Sequence, residues 1–186
     1  MTPIFTKPAD YRSPESIPVL YDAQAIHEHI TALAGDIHAA LGAEFLVVGL
    51  LKGSFIFAAD LVRALHHAGC TPQVDFMTLS SYGAAKQSSG AVQLEHAVTD
   101  AVAGKPVLLV DDILESGRTL AFAQSALLEK GAARVDICVL LDKPGKRHVP
   151  LDAQHVGFRV PDRFIVGYGL DYAGYYRELP FIGALD

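Results

Sequence analysis

Three short apolar runs, 45–51 (FLVVGLL), 106–112 (PVLLVDD) and 134–141 (RVDICVLL), recur along the chain, separated by segments of helical periodicity. Runs that stay apolar for most of their length, without strict alternation, fit strands covered on both faces. Such strands need helices above and below them. From Asp22 the residues Ile26, Ile30, Leu33, Ile37 and Leu41 fall at steps of three and four, with Asp22 placed to cap the start and Gly42 to stop the helix. A second helix is expected over 55–67, ending at Gly69, and a third over 116–131. Further strands are expected over 73–81, around 92–98 and over 164–170, the last closing the series, with a polar stretch at 82–90 and a turn at Gly104. Strands alternating with helices predict an α/β fold with a mostly parallel central sheet flanked by helices. Its ligand crevice should lie at the C-terminal ends of the strands.

With 186 residues, 51% hydrophobic and 19% charged, the chain has the size and balance of a single globular domain, 1–186, and is too apolar for a disordered one. The first 22 residues hold four of the ten prolines and no continuous apolar run, so 1–21 reads as an irregular N-terminal arm and not as a signal peptide. No stretch has the ~18 consecutive apolar residues of a membrane span. The formal charge of −6 provides no basic field for nucleic acid. Neither a membrane nor a nucleic acid is therefore expected as a partner. Cys70 and Cys138 form no CxxC or disulfide framework, and a reducing cytoplasm fits them best. His27 with His29, and His66 with His67, lack the i, i+4 spacing of helical metal ligands and read as solvated or capping residues. A Walker A loop, a complete GxGxxG and a GxSxG elbow are all absent from the sequence.

The segment 107–120, VLLVDDILESGRTL, carries the chemistry. Apolar residues bring Asp111 and Asp112 to a strand end, and Ser116-Gly117-Arg118-Thr119 opens a helix shortly after. Paired carboxylates there can accept hydrogen bonds from two vicinal hydroxyls, as on a ribose, or approach Mg²⁺. The Ser-Gly-Arg-Thr turn offers backbone N–H groups, two hydroxyls and a glycine that admits a phosphate. A capped helix after a buried strand accounts for Ser116 but leaves the acid pair unexplained.

This segment resembles the phosphoribosyl-pyrophosphate motif of type I phosphoribosyltransferases. Over about 18–185 the chain resembles their hypoxanthine (hypoxanthine-guanine) branch, in LKGSFIFAADLVR (51–63), VDFMTLSSYG (74–83), the motif itself, LLDKP (140–144) and VGFRVPDRFIVGYGLDYAGYYRELPFIG (156–183). The resemblance implies the type I phosphoribosyltransferase fold, with a small hood built from the terminal segments. It implies purine salvage: transfer of a 5-phosphoribosyl group from phosphoribosyl pyrophosphate to N9 of hypoxanthine or guanine, with Mg²⁺ as cofactor and a homodimer or homotetramer as the assembly.

By the same resemblance Lys52, Gly53 and Arg177 bind the pyrophosphate, and the Leu51-Lys52 peptide is cis. Asp111 and Asp112 take the ribose, Glu115, Ser116, Gly117, Arg118 and Thr119 form the phosphate loop, and Asp171 holds Mg²⁺, with Asp111 and Asp112 as further metal candidates. Phe164 stacks on the purine, Lys143 donates to O6, and the carbonyls near Ile165 and Asp171 face the 2-position, which leaves both bases open. Ser81 and Tyr82 belong to a lid. From the residues alone, Lys52 reads as a solvated lysine and Phe164 as core. Two departures stand out: Asp111-Asp112 replaces the common Glu-Asp, and Glu115-Ser116 stands where the family places Asp before Thr or Ser, the proposed proton acceptor. Glu115 is therefore the catalytic candidate. Two rivals are a phosphoribosyl-pyrophosphate-binding regulator of the same fold and a xanthine-preferring transferase.

Overall fold

The computed structural model describes residues 6–81, 92–96, 98 and 102–185. A six-stranded sheet forms its centre: β2 (Leu46–Leu51), β3 (Gln73–Ser81), β4 (Val92–His96), β5 (Pro106–Leu114), β6 (Arg134–Asp142) and β7 (His155–Arg159). Their spatial order is β4-β3-β2-β5-β6-β7. All neighbours pair in parallel except β4, which lies antiparallel on the β3 edge. Helices α1 (Ala23–Leu41) and α2 (Phe55–His67) cover one face and α3 (Arg118–Glu129) the other.

The two faces divide the strand residues by parity, as a pleated strand must. Val47, Leu108, Val110 and Leu140 pack with Ile26, Ile30, Ile37, Phe57 and Leu61 of the first helical layer. Leu46, Val48, Leu109, Ile137 and Val139 pack with Leu120, Ala123 and Leu127 of α3. The α1 start is as expected: the Asp22 carboxylate accepts from Ala25 N at 2.8 Å, and Gly42, at φ +78°, ends the helix.

From β2 the chain steps outward to β3 on one side, and from β5 outward to β6 on the other. The sheet reverses its direction of growth between β2 and β5, and in an open parallel sheet the crevice lies at the carboxyl ends beside that reversal.

Three expectations change. The strand expected at 164–170 does not join the central sheet. Only β8 (Ile165–Val166) is extended, and the chain then turns through Gly167, Tyr168 and Gly169, all at positive φ. The central sheet ends instead on β7, whose HVGFR alternates too weakly to be read as a strand. The arm at 1–21 is not irregular throughout. β1 (Val19–Tyr21) pairs with β9 (Ile182–Ala184), which pairs with β8, so the two chain ends build a small antiparallel sheet, the hood. Finally α3 begins at Arg118, and its cap position is Gly117 at φ +81°, with no side-chain cap.

Candidate active site

Three loops converge at the carboxyl ends of β2, β5 and β6. After β2 the Leu51-Lys52 peptide is cis and the chain turns through Gly53. A Cβ on Gly53 would stand 1.7 Å from Asp112 Oδ2, so only glycine lets the second acid of β5 reach this loop. Gly169 of the hood packs on the same place, since its own Cβ would meet the Gly53 carbonyl oxygen at 2.3 Å. Arg177 locks the hood turn: Nη1 donates to the Gly169 carbonyl at 2.5 Å, the Gly169 N–H donates to the Arg177 carbonyl at 3.0 Å, and Nη2 pairs with Asp171 Oδ1 at 2.6 Å. Asp171 Oδ2 accepts from Gly174 N at 2.7 Å.

Asp111 and Asp112 are half-buried side by side, and Asp112 N donates to Asp111 Oδ1 at 2.9 Å. Burial, and then the charge of Asp112, push the Asp111 carboxyl well above the usual carboxylate range. Burial also raises Asp112, against the opposing pull of its hydrogen bonds and of the Arg177 guanidinium. Two crowded carboxyls of this kind are relieved by hydroxyl donors or by a cation.

The β5–α3 loop is held from behind. Arg147 Nη1 donates to the Glu115 carbonyl at 2.8 Å, and the N–H groups of His148 and Val149 donate to the Ser116 carbonyl at 2.9 and 3.0 Å. In a trans peptide the N–H points opposite the C=O, so the amides of Ser116 and Gly117 are turned away from 147–149. They face a cleft of about 240 Å³ lined by Asp111, Asp112, Glu115, Ser116, Gly117 and Thr119. A Cβ on Gly117 would meet the Val149 carbonyl at 2.9 Å, so that position needs glycine for space as well as for its backbone angle. Arg118 and Thr119 are exposed at the α3 start, where the positive end of the helix adds to an anion site.

Lys143, just past β6, is almost fully buried. Its ammonium lies 3.0 Å from Glu115 Oε1, 3.0 Å from Asp162 Oδ1 and 3.0 Å from the Arg163 carbonyl. Burial disfavours this charge, but the hydrogen bonds and charges of Asp162 and Glu115 outweigh it and raise the lysine pKa. The next residue along from Arg163, Phe164, is 49% exposed, and its ring meets Tyr172 edge to face at 5.4 Å. The reading of Phe164 as core therefore fails, while Ile165 beside it is buried in β8.

The phosphoribosyl transferase domain matches residues 18–173. The hypoxanthine phosphoribosyltransferase of Escherichia coli is 44% identical over 76% of this chain and 78% of its own length. The hypoxanthine-guanine phosphoribosyltransferase of Bacillus subtilis is 39% identical over 90% and 92%. Among solved structures, a hypoxanthine-guanine phosphoribosyltransferase from Bacillus anthracis superposes with a TM-score of 0.84 at 41% identity, covering 91% of this chain and 99% of that one. The chain belongs to the phosphoribosyltransferase family, in its hypoxanthine (hypoxanthine-guanine) branch.

Against that family frame, the expected residues fall into two groups. Lys52, Gly53, Asp112, Asp171 and Arg177 meet through the Gly53–Gly169 contact. Glu115, Lys143 and Phe164 meet through the Lys143 ion pairs and the Arg163 carbonyl. Asp111, Asp112 and Asp171 do not form one protein-only metal cluster: among the described residues no three His, Cys, Asp or Glu side chains converge on a common point. Ser81 ends β3, and Tyr82 lies outside the described residues.

Sequence reasoning passed over Asp162, Lys146 and Arg147. All three sit near LLDKP or within VPDRF, but nothing in the local pattern says that these two segments, separated by β7, share Lys143. No helix among the described residues is long and apolar enough to cross a membrane.

Proposed function

We propose that this chain, acting as a single domain over 1–186, transfers the 5-phosphoribosyl group of phosphoribosyl pyrophosphate to N9 of a 6-oxopurine, hypoxanthine or guanine, releasing pyrophosphate. The observation that carries this reading is the buried Lys143 ammonium, which pairs with Glu115 of the cleft lined by Asp111, Asp112 and the β5–α3 loop and donates to the carbonyl of Arg163, the residue before the exposed Phe164. An ammonium has only donors, so it suits a 6-oxo group and is mismatched to a 6-amino group. Phe164 stacks on the base, and the carbonyls of Ile165 and Asp171 face its 2-position. Asp111 and Asp112 accept from the ribose hydroxyls, while Ser116, Gly117, Arg118 and Thr119 hold the terminal phosphate. Glu115 takes the purine proton as the bond to C1′ forms. Lys52, Gly53 and Arg177 hold the departing pyrophosphate, where fixed donors act on developing charge. Ser81 and Tyr82 close over the site to exclude water.

Mg²⁺ fits this donor set. It is commonly held by one or two carboxylates together with substrate phosphates, so Asp171 with the pyrophosphate would suffice, and Asp111 and Asp112 at the ribose are the further candidates. Held there, the ion would supply neutralisation of the charge that develops on the pyrophosphate. The free, buried Cys70 and Cys138 support a cytoplasmic setting, and the family resemblance supports a homodimer or homotetramer. The test is nucleotide formation from phosphoribosyl pyrophosphate and Mg²⁺ with hypoxanthine, guanine, xanthine and adenine, each alone. Hypoxanthine or guanine should react and adenine should not. A strong preference for xanthine, or binding of phosphoribosyl pyrophosphate with no nucleotide from any base, overturns the reading.

A further inference from the structure

Lys143 has three N–H donors, and the structure fills all of them, with Glu115, Asp162 and the Arg163 carbonyl. Its side chain is 8% exposed, so a purine oxygen can be read only when one of the three partners leaves. The Arg163 carbonyl belongs to a turn pinned by the Arg163 N–H on the Pro161 carbonyl at 2.9 Å. Glu115 is tethered through its own carbonyl to Arg147, and its second lysine, Lys146, is 4.0 Å away. Asp162 differs on both counts. It is about half exposed, and it already holds Lys146 at 2.9 Å, as close as it holds Lys143.

We propose that Asp162 is a place-holder for the purine O6: it fills the third donor of Lys143 in the free enzyme and passes to Lys146 when a 6-oxo group arrives. Asp162 is thus a positioning residue that sets specificity, and Lys146 is the cation that receives it. The exchange replaces one acceptor by another, so Lys143 is never left as an unpaired buried charge. A base with an amino group at this position presents donors, cannot replace the carboxylate, and leaves Asp162 where it stands.

This inference rests on the 6-oxopurine reading above. Lys146 and Asp162 are about half exposed, so Lys146→Met and Asp162→Asn should fold, and equal thermal midpoints check that they do. Steady-state kinetics of the wild type, both single variants and the double variant then decide the matter. Asp162→Asn weakens the hold on Lys143 and should lower the KM for hypoxanthine about three- to fivefold. Lys146→Met leaves Asp162 with no cation to go to and should raise that KM by about the same factor. The KM for phosphoribosyl pyrophosphate should stay put in both, and Lys146→Met should have no effect in the Asp162→Asn background. Shifts of the same sign, no shift, or a Lys146→Met effect that survives in the double variant overturns the place-holder. A wild-type enzyme that makes nucleotide from neither hypoxanthine nor guanine overturns the proposed function instead.

Discussion

In the proposed reading the chemistry turns on two side chains, Lys143 and Glu115, and the two touch each other. Replacing Lys143 with Met removes the cationic donor at O6 and with it the mismatch against an amino group. The variant should lose hypoxanthine activity and, with it, most of the discrimination between hypoxanthine and adenine, read as the ratio of their kcat/KM values. Discrimination as sharp as in the wild type would place the O6 contact elsewhere. Glu115 stands where the family resemblance implies the shorter Asp, and its carboxylate, at the wall of the cleft, pairs with Lys143 at 3.0 Å. Glu115→Gln keeps the shape and cannot take a proton, so the chemical step in a single turnover should slow by ~10²–10⁴-fold, the usual worth of a general base. Glu115→Asp should keep most of the rate. A Gln variant near the wild-type rate would mean that the proton leaves by another path.

At the scale of elements, the β5–α3 loop, the proposed phosphate loop, is shaped by a segment that follows a different strand. Arg147 ties the Glu115 carbonyl to Asp142, pairing with the latter at 2.5 Å, and so joins the ends of β5 and β6. Arg147→Met loosens the loop at Glu115 and leaves the buried Asp142 with Arg159, 3.9 Å away, as its ion-pair partner among the described residues. The KM for phosphoribosyl pyrophosphate should rise about tenfold, as expected when a charge-assisted tie is lost, with the KM for the purine moving less. A uniform loss of activity with a lowered thermal midpoint would show Arg147 to be a folding residue only. The sequence makes α1 legible because its cap, stripe and stop are all local: Asp22, the apolar steps and Gly42 lie within one segment. It makes the acids of β5 legible because an apolar run ending in two carboxylates has no good structural use. Its local pattern hides β7 and the roles of Arg147 and Asp162, and the hood is implied by the family resemblance alone. Each of these depends on partners distant in the chain, and β8 is cut short by the positive-φ turn at 167–169, which carries the Gly169 contact onto Gly53.

At the scale of the whole molecule, a mostly parallel sheet carries the site at its carboxyl end and a titratable cluster at the starts of β6 and β7. His155 is buried there, its Nε2 has no hydrogen-bond partner among the described residues, and Asp136, itself held by Arg134, stands 3.8 Å away. Burial lowers the His155 pKa, with Asp136 and Asp36 opposing and Arg134 assisting. The folded chain thus favours the neutral ring, whereas the unfolded chain takes up a proton near pH ~6.5. Stability from this residue is full above that value and is lost as the pH falls below it. Denaturant unfolding should therefore show a larger stability drop from about pH 7.5 to about pH 5.5 in the wild type than in His155→Gln. Equal drops would remove His155 from the acid response.

At the carboxyl end of the sheet, opposite that cluster, the proposed reaction passes a phosphoribosyl group to a base chosen by its 6-oxo group. The most direct test is one reaction holding phosphoribosyl pyrophosphate, Mg²⁺ and equal amounts of hypoxanthine and adenine, quenched after about one turnover, with the products identified by mass. Inosine monophosphate should form with a matching amount of pyrophosphate and at least ~10²-fold more of it than adenosine monophosphate, given what an unpaired buried donor is worth. Comparable amounts of the two nucleotides, or pyrophosphate released with neither, would contradict the account.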